Sequence, residues 1–508
     1  MSSNNNNNNN DGAVLYSGGD DVMGMVMELG SFTCKVGYAG DDFPTRHFRT
    51  TTAYNTKTKQ TCRDYLSRML PNEQDEWILQ SPIPNYNGGL PNYYNNHNNN
   101  NNNNNGGDDE LLREYISSCC HENVPVLFIE RSYHPPPMRQ YLLELLLEQE
   151  RIPATFLARD AVCACYSVGR TTGMVVDMGH SQTTITPVHE GFVQQMGIQI
   201  SPLGCHHVHQ LLLNQTPLNT AKPRYQLHTP NQQPRSNIFH KASRLAMARE
   251  CFSSGVLTME DHDDVNTTTT TASSSSSSYE LPDGTVIQIP SSISQQVQNL
   301  YFGHISTDRT NIHKNYQKQL EQNSATTTAT SSEGETPSSK PKKVDMMEYL
   351  HGNSSLLSSN GLRKTTTTTE QPSSKREAFL KACMPYYTSI LPQDQLTDAA
   401  LPHAVCDAAF SCEREVQPSL LGSMIVAGGG SCMDGMTSEL QRQVEEVIHP
   451  HTPGWRIKTY TQNNYTERSV ANWLGGSILA SLGSFQDFYI TQQEYQEYGP
   501  NIVHRKCP

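Results

Sequence analysis

The sequence predicts an α/β fold, and three observations carry that expectation. Strand and helix signals alternate between residues 124 and 168. Two short apolar strands, Val22–Glu28 and Met174–Asp177, each end on a carboxylate, turn through a glycine and return as a strand. A further apolar run, Leu420–Val426, reads as a strand leading into Gly428-Gly429-Gly430-Ser431, a glycine loop opening the helix Met436–Val447.

Composition is consistent with a folded body carrying polar tracts. The chain has 508 residues, enough for two or more domains. Hydrophobic content is only 35% and mean hydropathy is −0.60, but the deficit lies in the Asn, Ser and Thr tracts; without them a core ample for two lobes remains. Net charge is −13, so the chain gains nothing from nucleic-acid phosphates, and direct sequence-specific DNA binding is not expected. An acidic protein meets basic partners more readily. No apolar run approaches a membrane span, and the polar N-terminus lacks a secretory h-region. The 13 cysteines are therefore read as reduced thiols. Cys205-His206-His207 with His209 is the one ligand-dense cluster, and it reads better as a helix start than as a metal site.

Along the chain, residues 1–20 are Asn- and Gly/Asp-rich and are expected to be disordered. Residues 43–77 form a short outer region, and 92–109 hold an Asn-rich insertion. Helical pattern resumes at Leu111–Ile116, Val124–Glu130 is a buried strand, and Met138–Gln149 is a Leu-rich helix. Pro153–Leu157 is the next strand and Asp160–Val168 the next helix. Beyond the Asp177 hairpin, His206–Asn214 and Phe239–Phe252 are helical and Val286–Ile289 is a strand. Residues 262–278 and 303–374 read as disordered insertions. Within the second, Lys340-Pro341-Lys342-Lys343-Val344 has the look of a nuclear localisation signal, or equally of a solvated charge run. Ser477–Phe488 and Gln492–Tyr498 are helices near the C-terminus.

The hairpins suggest phosphate chemistry. A glycine at the turn lets backbone N–H groups approach phosphate oxygens, and a carboxylate beside it can hold a metal ion, usually through water. Two such hairpins can clamp a nucleotide's phosphates from both sides, which one alone does not imply.

These residues also carry a family resemblance. Val36-Gly37-Tyr38-Ala39-Gly40-Asp41-Asp42 resembles the actin signature after its first phosphate hairpin, and Gly169–Gly173 with the Asp177 hairpin resembles the second. Tyr279–Gly284, Trp473–Leu482 and the closing Ile502–Cys507 are similar to actin segments in family order. The Gly18-Gly19-Asp20 lead-in, Val193-Gln194-Gln195, Ser201-Pro202-Leu203 and the Cys507-Pro508 ending resemble the nuclear actin-related protein 4 branch of that superfamily. The resemblance implies an actin-like ATPase fold: two RNase H-like lobes around a nucleotide cleft, with low-complexity insertions. The first lobe would be 21–168, the second 169–459, and 460–508 would return to the first.

Carried over residue by residue, the resemblance implies that Gly30, Ser31 and Lys35 form the first phosphate hairpin and Asp177, Gly179 and Ser181 the second. Arg249 and Glu250 would face the adenine and ribose, with Gly428 and Gly429 completing the cleft. The implied ligand is ATP with Mg2+, the metal held through water by Asp177 and Glu28. Several positions depart from the family. Glu28 replaces an aspartate, His180 another aspartate, and Ser469 a lysine over the adenine. Asp160 and Thr184 stand where actins keep the glutamine and histidine that position attacking water. Positioning is most of phosphoryl-transfer catalysis, so no enzyme activity is expected, and bound ATP would act structurally.

The expected function is that of a non-catalytic nuclear scaffold subunit in chromatin-remodelling and histone acetyltransferase complexes. It would pair with nuclear monomeric actin, clasp a helical segment of a Snf2-type motor or acetyltransferase scaffold, and meet histones. The alternatives are a weak actin-like ATPase and a cytoskeletal filament former. The changed water-positioning residues oppose the first. The short outer region and the large insertions oppose the second, since a polymer contact must repeat identically.

Overall fold

A computed structural model describes residues 24–55, 61–62, 77–80, 107–120, 123–201, 203–220, 237–259, 277–281, 284–303, 397, 399–450 and 452–508. The tract 1–20 and the basic cluster Lys340–Val344 lie outside them. The other tracts read as insertions also lie outside, except at their ends. Residues 107–109 open the helix Gly107–Cys119, Ser277 and Ser278 belong to a strand, and Gly303 follows the helix Ser291–Phe302.

The first hairpin is β1 (Met25–Leu29) and β2 (Thr33–Tyr38), extended by β3 (Arg46–Arg49). A small separate sheet follows, with β4 (Thr52–Asn55) between β5 (Thr61–Cys62) and β6 (Trp77–Gln80). Next come β7 (Val126–Glu130) and β8 (Ala154–Arg159), joined by a helix over Pro136–Glu144. Pro136 suits a first helical turn because its missing N–H would have no partner there. The helix runs on through a π-turn, Leu145–Gln149, whose leucines are buried.

The second hairpin is β9 (Gly173–Met178) and β10 (Thr183–His189). The short strands β11 (Phe192–Val193) and β12 (Gln199–Ser201) both pair with β10. A detached pair, β13 (Ser277–Glu280) and β14 (Val286–Ile289), precedes the helix Ser291–Phe302. The chain then supplies β15 (Met424–Ala427), β16 (Thr459–Tyr460) and β17 (Ile490–Thr491).

Two mixed sheets result. Their orders are β17-β8-β7-β1-β2-β3 and β11-β10-β9-β15-β16, with β12 beside β10. In each, an antiparallel hairpin adjoins parallel strands: β1 runs parallel to β7, and β9 to β15. Each hairpin turn therefore opens at the carboxyl ends of the neighbouring parallel strands, where open α/β sheets bind ligands. Buried aliphatic and aromatic side chains form the core of the first sheet, including Met27, Leu127 and Leu143.

The C-terminal segment returns to that sheet. β17 pairs with β8, and the helix Ala471–Ser481 packs across the helix Asp160–Ser167. Trp473 is fully buried and its indole Nε1 donates to Val26 O at 3.1 Å. The helix Gln492–Tyr498 begins with a capping box between Thr491 and Glu494.

Two expected boundaries move. Residues 420–421 of the run Leu420–Val426, read as a strand, close the helix Gln417–Leu421, and the strand is only Met424–Ala427; a short apolar run does not by itself separate buried helix from buried strand. The glycine loop forms a single 3-10 turn, Gly429–Ser431, and the helix after it starts at Met436, as expected. The C-terminal helix begins at Ala471 rather than Ser477, and Gly483–Phe488 is 3-10. Among the described residues, no helix is long and apolar enough to cross a membrane.

Candidate functional site

The two hairpins close in the same way. Gly30 N donates to Thr33 O and Gly179 N to Gln182 O, each at 2.9 Å. A Cβ on either glycine would lie within 2.9 Å of that same carbonyl, so both turns are too tight for a side chain. The two turns flank a cavity of about 320 Å³. That is near the lower end, about 300 Å³, of the usual range for small-molecule sites.

Most of the sequence-predicted residues meet there. Gly30, Ser31 and Lys35 line the cavity from the first hairpin, and Asp177 and Gly179 from the second. Arg249 and Glu250 reach it from the helix Asn237–Ser253, and Gly428 and Gly429 from the loop after β15. Glu28 and Ser469 line it as well. Ser181 does not, although it belongs to the same turn as Gly179. Gly428 has φ +88°, and a Cβ there would overlap Asp177 Oδ1 and Met178 O, so the third loop presses its bare backbone against the second hairpin.

The charged groups are tightly paired. Glu28 and Lys35 face each other in register across β1 and β2, and Lys35 Nζ lies 2.7 Å from Glu28 Oε2. Asp177 accepts from Asn472 Nδ2 at 3.0 Å and lies 3.4 Å from Arg131 Nη1. The same Nη1 is 3.2 Å from Asp160 Oδ2. Burial pushes Asp177 up from the usual carboxylate range; Arg131 opposes that, while Asp160 and Glu28 reinforce it. Burial also works against charge on Arg131, but Asp160 and Asp177 outweigh it and hold the guanidinium protonated.

Asp160 and Thr184, the two positions where actins orient water, do not line the cavity. Asp160 is buried at the first turn of its helix. It accepts from the backbone N–H of Ser132 at 2.9 Å and of Ala161 at 2.8 Å, and from the Ser132 hydroxyl. Thr184 is buried on β10, opposite Asp177 in the strand register.

The same two turns and the adjoining helix Cys205–Gln215 also bring neutral groups to the cavity. His180 stacks on Phe32 with ring centroids 4.3 Å apart. The guanidinium of Arg249 sits 5.2 Å from the same Phe32 ring, which fixes where its charge lies. Cys205 opens the helix Cys205–Gln215, as expected of a helix start, and its Sγ is 3.7 Å from His180 Nδ1. His209 is 1% exposed and neither ring nitrogen has a hydrogen-bond partner among the described residues. Burial pushes His206 down to about 4 and His209 to about 3, and it holds His180 well below the ordinary imidazole value.

Sequence reasoning missed Arg131 and Asn472. Arg131 follows the last residue of β7, and β1, β7 and β8 run parallel with register pairs Glu28↔Ile129 and Glu130↔Arg159. All three strands thus deliver charged residues to one edge, a signal visible only once the strand order is known. Asn472 comes from a helix 295 residues away in sequence.

The cleft fits a nucleotide: it has two glycine cradles, Lys35, Arg249 and an acceptor, Asn472 Oδ1, that is buried without a partner among the described residues. Glu28 is paired with Lys35 through Oε2, and Asp177 with Arg131 and Asn472 through Oδ2, while Asp160 pairs with Arg131. Glu28 Oε1 and Asp177 Oδ1, which have no hydrogen-bond partner among the described residues, are the oxygens that would hold the expected magnesium through water.

Known proteins give the same fold assignment. A family model described as Actin matches residues 19–508. Among curated relatives, actin-related protein 4 of Arabidopsis thaliana is 26% identical over 510 residues, covering 97% of this chain and 100% of the relative. Actin-related protein 4 of Oryza sativa subsp. japonica is 25% identical over 536 residues, covering 97% and 100%. Actin-related protein 4 of Schizosaccharomyces pombe is 24% identical over 511 residues, covering 97% and 99%. With its motifs in family order, its twin hairpins and a family model spanning nearly its whole length, the chain belongs to the actin family.

Proposed function

We propose that this actin-related protein is a non-catalytic scaffold subunit of nuclear chromatin-remodelling and histone acetyltransferase complexes, and that it holds ATP as a structural ligand. The observation that carries the non-catalytic reading is the burial of Asp160 beneath Arg131, with its oxygens taken by Ser132, Ala161 and Arg131. Asp160 Oδ1 accepts three hydrogen bonds and its Oδ2 faces Arg131, so the carboxylate is engaged away from the cavity, and Thr184 is buried and does not line the cavity either.

Lys35 and the glycine turns would hold the phosphates, and Arg249 and Glu250 the nucleoside end. A ligand bound only by the folded chain stabilises it by mass action. The nuclear setting and the partners rest on the resemblance to actin-related protein 4. In that setting the chain pairs with monomeric actin and clasps a helical segment of a Snf2-type motor or acetyltransferase scaffold, in the manner of a helix laid in a groove. Its net charge of −13 suits contact with histones.

Affinity purification of the tagged full chain from nuclear extract, followed by mass spectrometry, tests this. Actin together with a Snf2-type motor or an acetyltransferase scaffold is the expected result. Recovery of filament or tubulin-motor proteins without chromatin factors contradicts it. Sedimentation under actin-polymerising conditions should leave the protein in the supernatant.

A further inference from the structure

We propose that His180, Cys205 and His209 form a zinc site in the lining of the cleft, three protein ligands with a fourth position open to the cavity. The site is distinct from the carboxylates that would hold magnesium. It goes beyond the nucleotide reading and does not rest on it.

The three side chains come from two elements, and all of them line the cavity. His180 sits in the turn between β9 and β10, and Cys205 and His209 lie one turn apart on the helix Cys205–Gln215. Residues four apart share a helix face, so the thiol and the imidazole point the same way. Only this helical half of the set is local in sequence; His180 joins it in the fold. Backbone contacts then fix the two elements against each other. Cys205 N donates to Gly179 O and His206 N to His180 O, each at 3.0 Å. A Cβ on Gly204 would overlap His180 O, Ser181 C and Gln182 N, so the helix start can press this close to the turn only through glycine.

The ligand atoms are already gathered. One nitrogen or sulfur from each residue lies within 4.8 Å of the other two, and Cys205 Sγ is 3.7 Å from His180 Nδ1. Zinc bonds of about 2.0–2.1 Å to nitrogen and about 2.3 Å to sulfur put tetrahedral ligand atoms roughly 3.3–3.6 Å apart, so the set has to tighten by at most about 1.5 Å. His209 carries the strongest signal. It is buried, and neither ring nitrogen has a hydrogen-bond partner among the described residues. Buried polar atoms nearly always have a partner, and a metal ion would supply one. Aromatic packing sets both rings: Phe32 stacks on His180, and Phe252 meets His209 in a T-shaped contact.

Ligand type selects the metal. A thiolate with two imidazoles is a sulfur and nitrogen set, which suits zinc, whereas magnesium and calcium take oxygen. As the zinc–sulfur bond forms, the Cys205 thiol gives up its proton to solvent. Zinc and one thiolate leave a net positive charge within electrostatic reach of both Arg249 and Asp177. Water or an anionic oxygen from the cavity completes the tetrahedron.

The test is Co2+ and Zn2+ binding to the full chain, stripped with EDTA, freed of the chelator and kept reduced. Co2+ held by a thiolate and two imidazoles in a tetrahedral site shows a sulfur-to-metal band in the near ultraviolet and strong visible bands. One Co2+ per chain with that spectrum is expected, displaced by Zn2+ that binds with a Kd of about 1 μM or tighter against a chromophoric chelator. Cys205→Ser should lose the sulfur band, and His209→Leu should bind Zn2+ at least about tenfold more weakly. Melting controls for folding: in EDTA His209→Leu should melt close to the parent, while added Zn2+ should raise the parent's Tm and not the variant's. A parent without the sulfur band overturns the inference and leaves Cys205 and His180 as a hydrogen-bonded thiol and imidazole. A band and an affinity that survive both substitutions overturn it too, and place the metal on other cysteines.

Discussion

The two walls of the cleft bury polar groups by opposite means. On the phosphate side, Glu28, Asp160 and Asp177 are each fixed beside a cation, Lys35 or Arg131, within 3.4 Å. In the histidine cluster beside the second turn, His180, His206 and His209 are held neutral by burial, and His209 lacks any hydrogen-bond partner among the described residues. Burying an ion is tolerable when a counter-ion is fixed beside it; a group that titrates near neutrality can shed its charge instead. The first wall is therefore rigid and intolerant of single changes. The second should be permissive near neutral pH and fragile in acid.

The largest effect should come from breaking the charged wall. Arg131→Ala leaves two buried carboxylates without their cation and should cost about 3 kcal/mol of stability, the low end of the range for such pairs because the arginine is partly exposed. Urea denaturation measures it. Adding Mg2+ to the variant should restore part of the loss, since the vacated carboxylates can then take the ion. A loss below roughly 0.5 kcal/mol would make Arg131 a surface residue in energetic terms.

Gly428→Ala should come next. The backbone there is left-handed and a Cβ would overlap Asp177 and Met178, so a loss of about 1–3 kcal/mol is expected, together with weaker nucleotide binding. Gly429→Ala, where a Cβ would meet nothing within 4 Å, is the control and should be nearly silent in stability.

In EDTA, acid probes the buried imidazoles. Burial holds His47 on β3, opposite Lys35, at about 4, with Lys35 and Arg249 contributing, and it holds His206 at about 4 and His209 at about 3, all below the ordinary 6.5. An imidazole whose folded value is depressed contributes stability that is present above about pH 6.5 and is lost as the pH falls towards 4, because the unfolded chain takes up the proton first. Melting temperature should therefore drop between pH 6.5 and 4, and a flat profile would contradict the burial of these rings.

The smallest effect should be His209→Leu at pH 7.5. Replacing an unpartnered buried imidazole with an apolar side chain should change stability by less than about 1 kcal/mol, in either direction. It should also flatten the acid profile. A loss of several kcal/mol would mean that the His209 nitrogens have a partner.

The contrast between the walls also marks what could be read from the chain. The twin turns were legible because a carboxylate and a glycine at a strand end are local signals, and Gly30, Asp177 and Gly179 line the cavity. Gly428 was legible for the same reason. Arg131 was not, because its role comes from parallel pairing of β1 with β7 and β7 with β8, which no neighbouring residue encodes. Asn472 crosses 295 residues to reach Asp177. Asp160 was singled out by position, but its saturation by Ser132 and Arg131 appears only in three dimensions. The apolar run 420–426 was misread at its start because burial on all sides removes the alternation that separates strand from helix.

The central claim is that the cleft keeps ATP rather than spending it. The most direct measurement is to load the full chain with ATP, remove the excess, and follow the identity of the bound nucleotide over hours by ion-exchange chromatography after acid extraction. The account predicts intact ATP throughout, with no phosphate released. Steady conversion of the bound nucleotide to ADP and phosphate would contradict it, and would mean that some group other than Asp160 or Thr184 positions the attacking water.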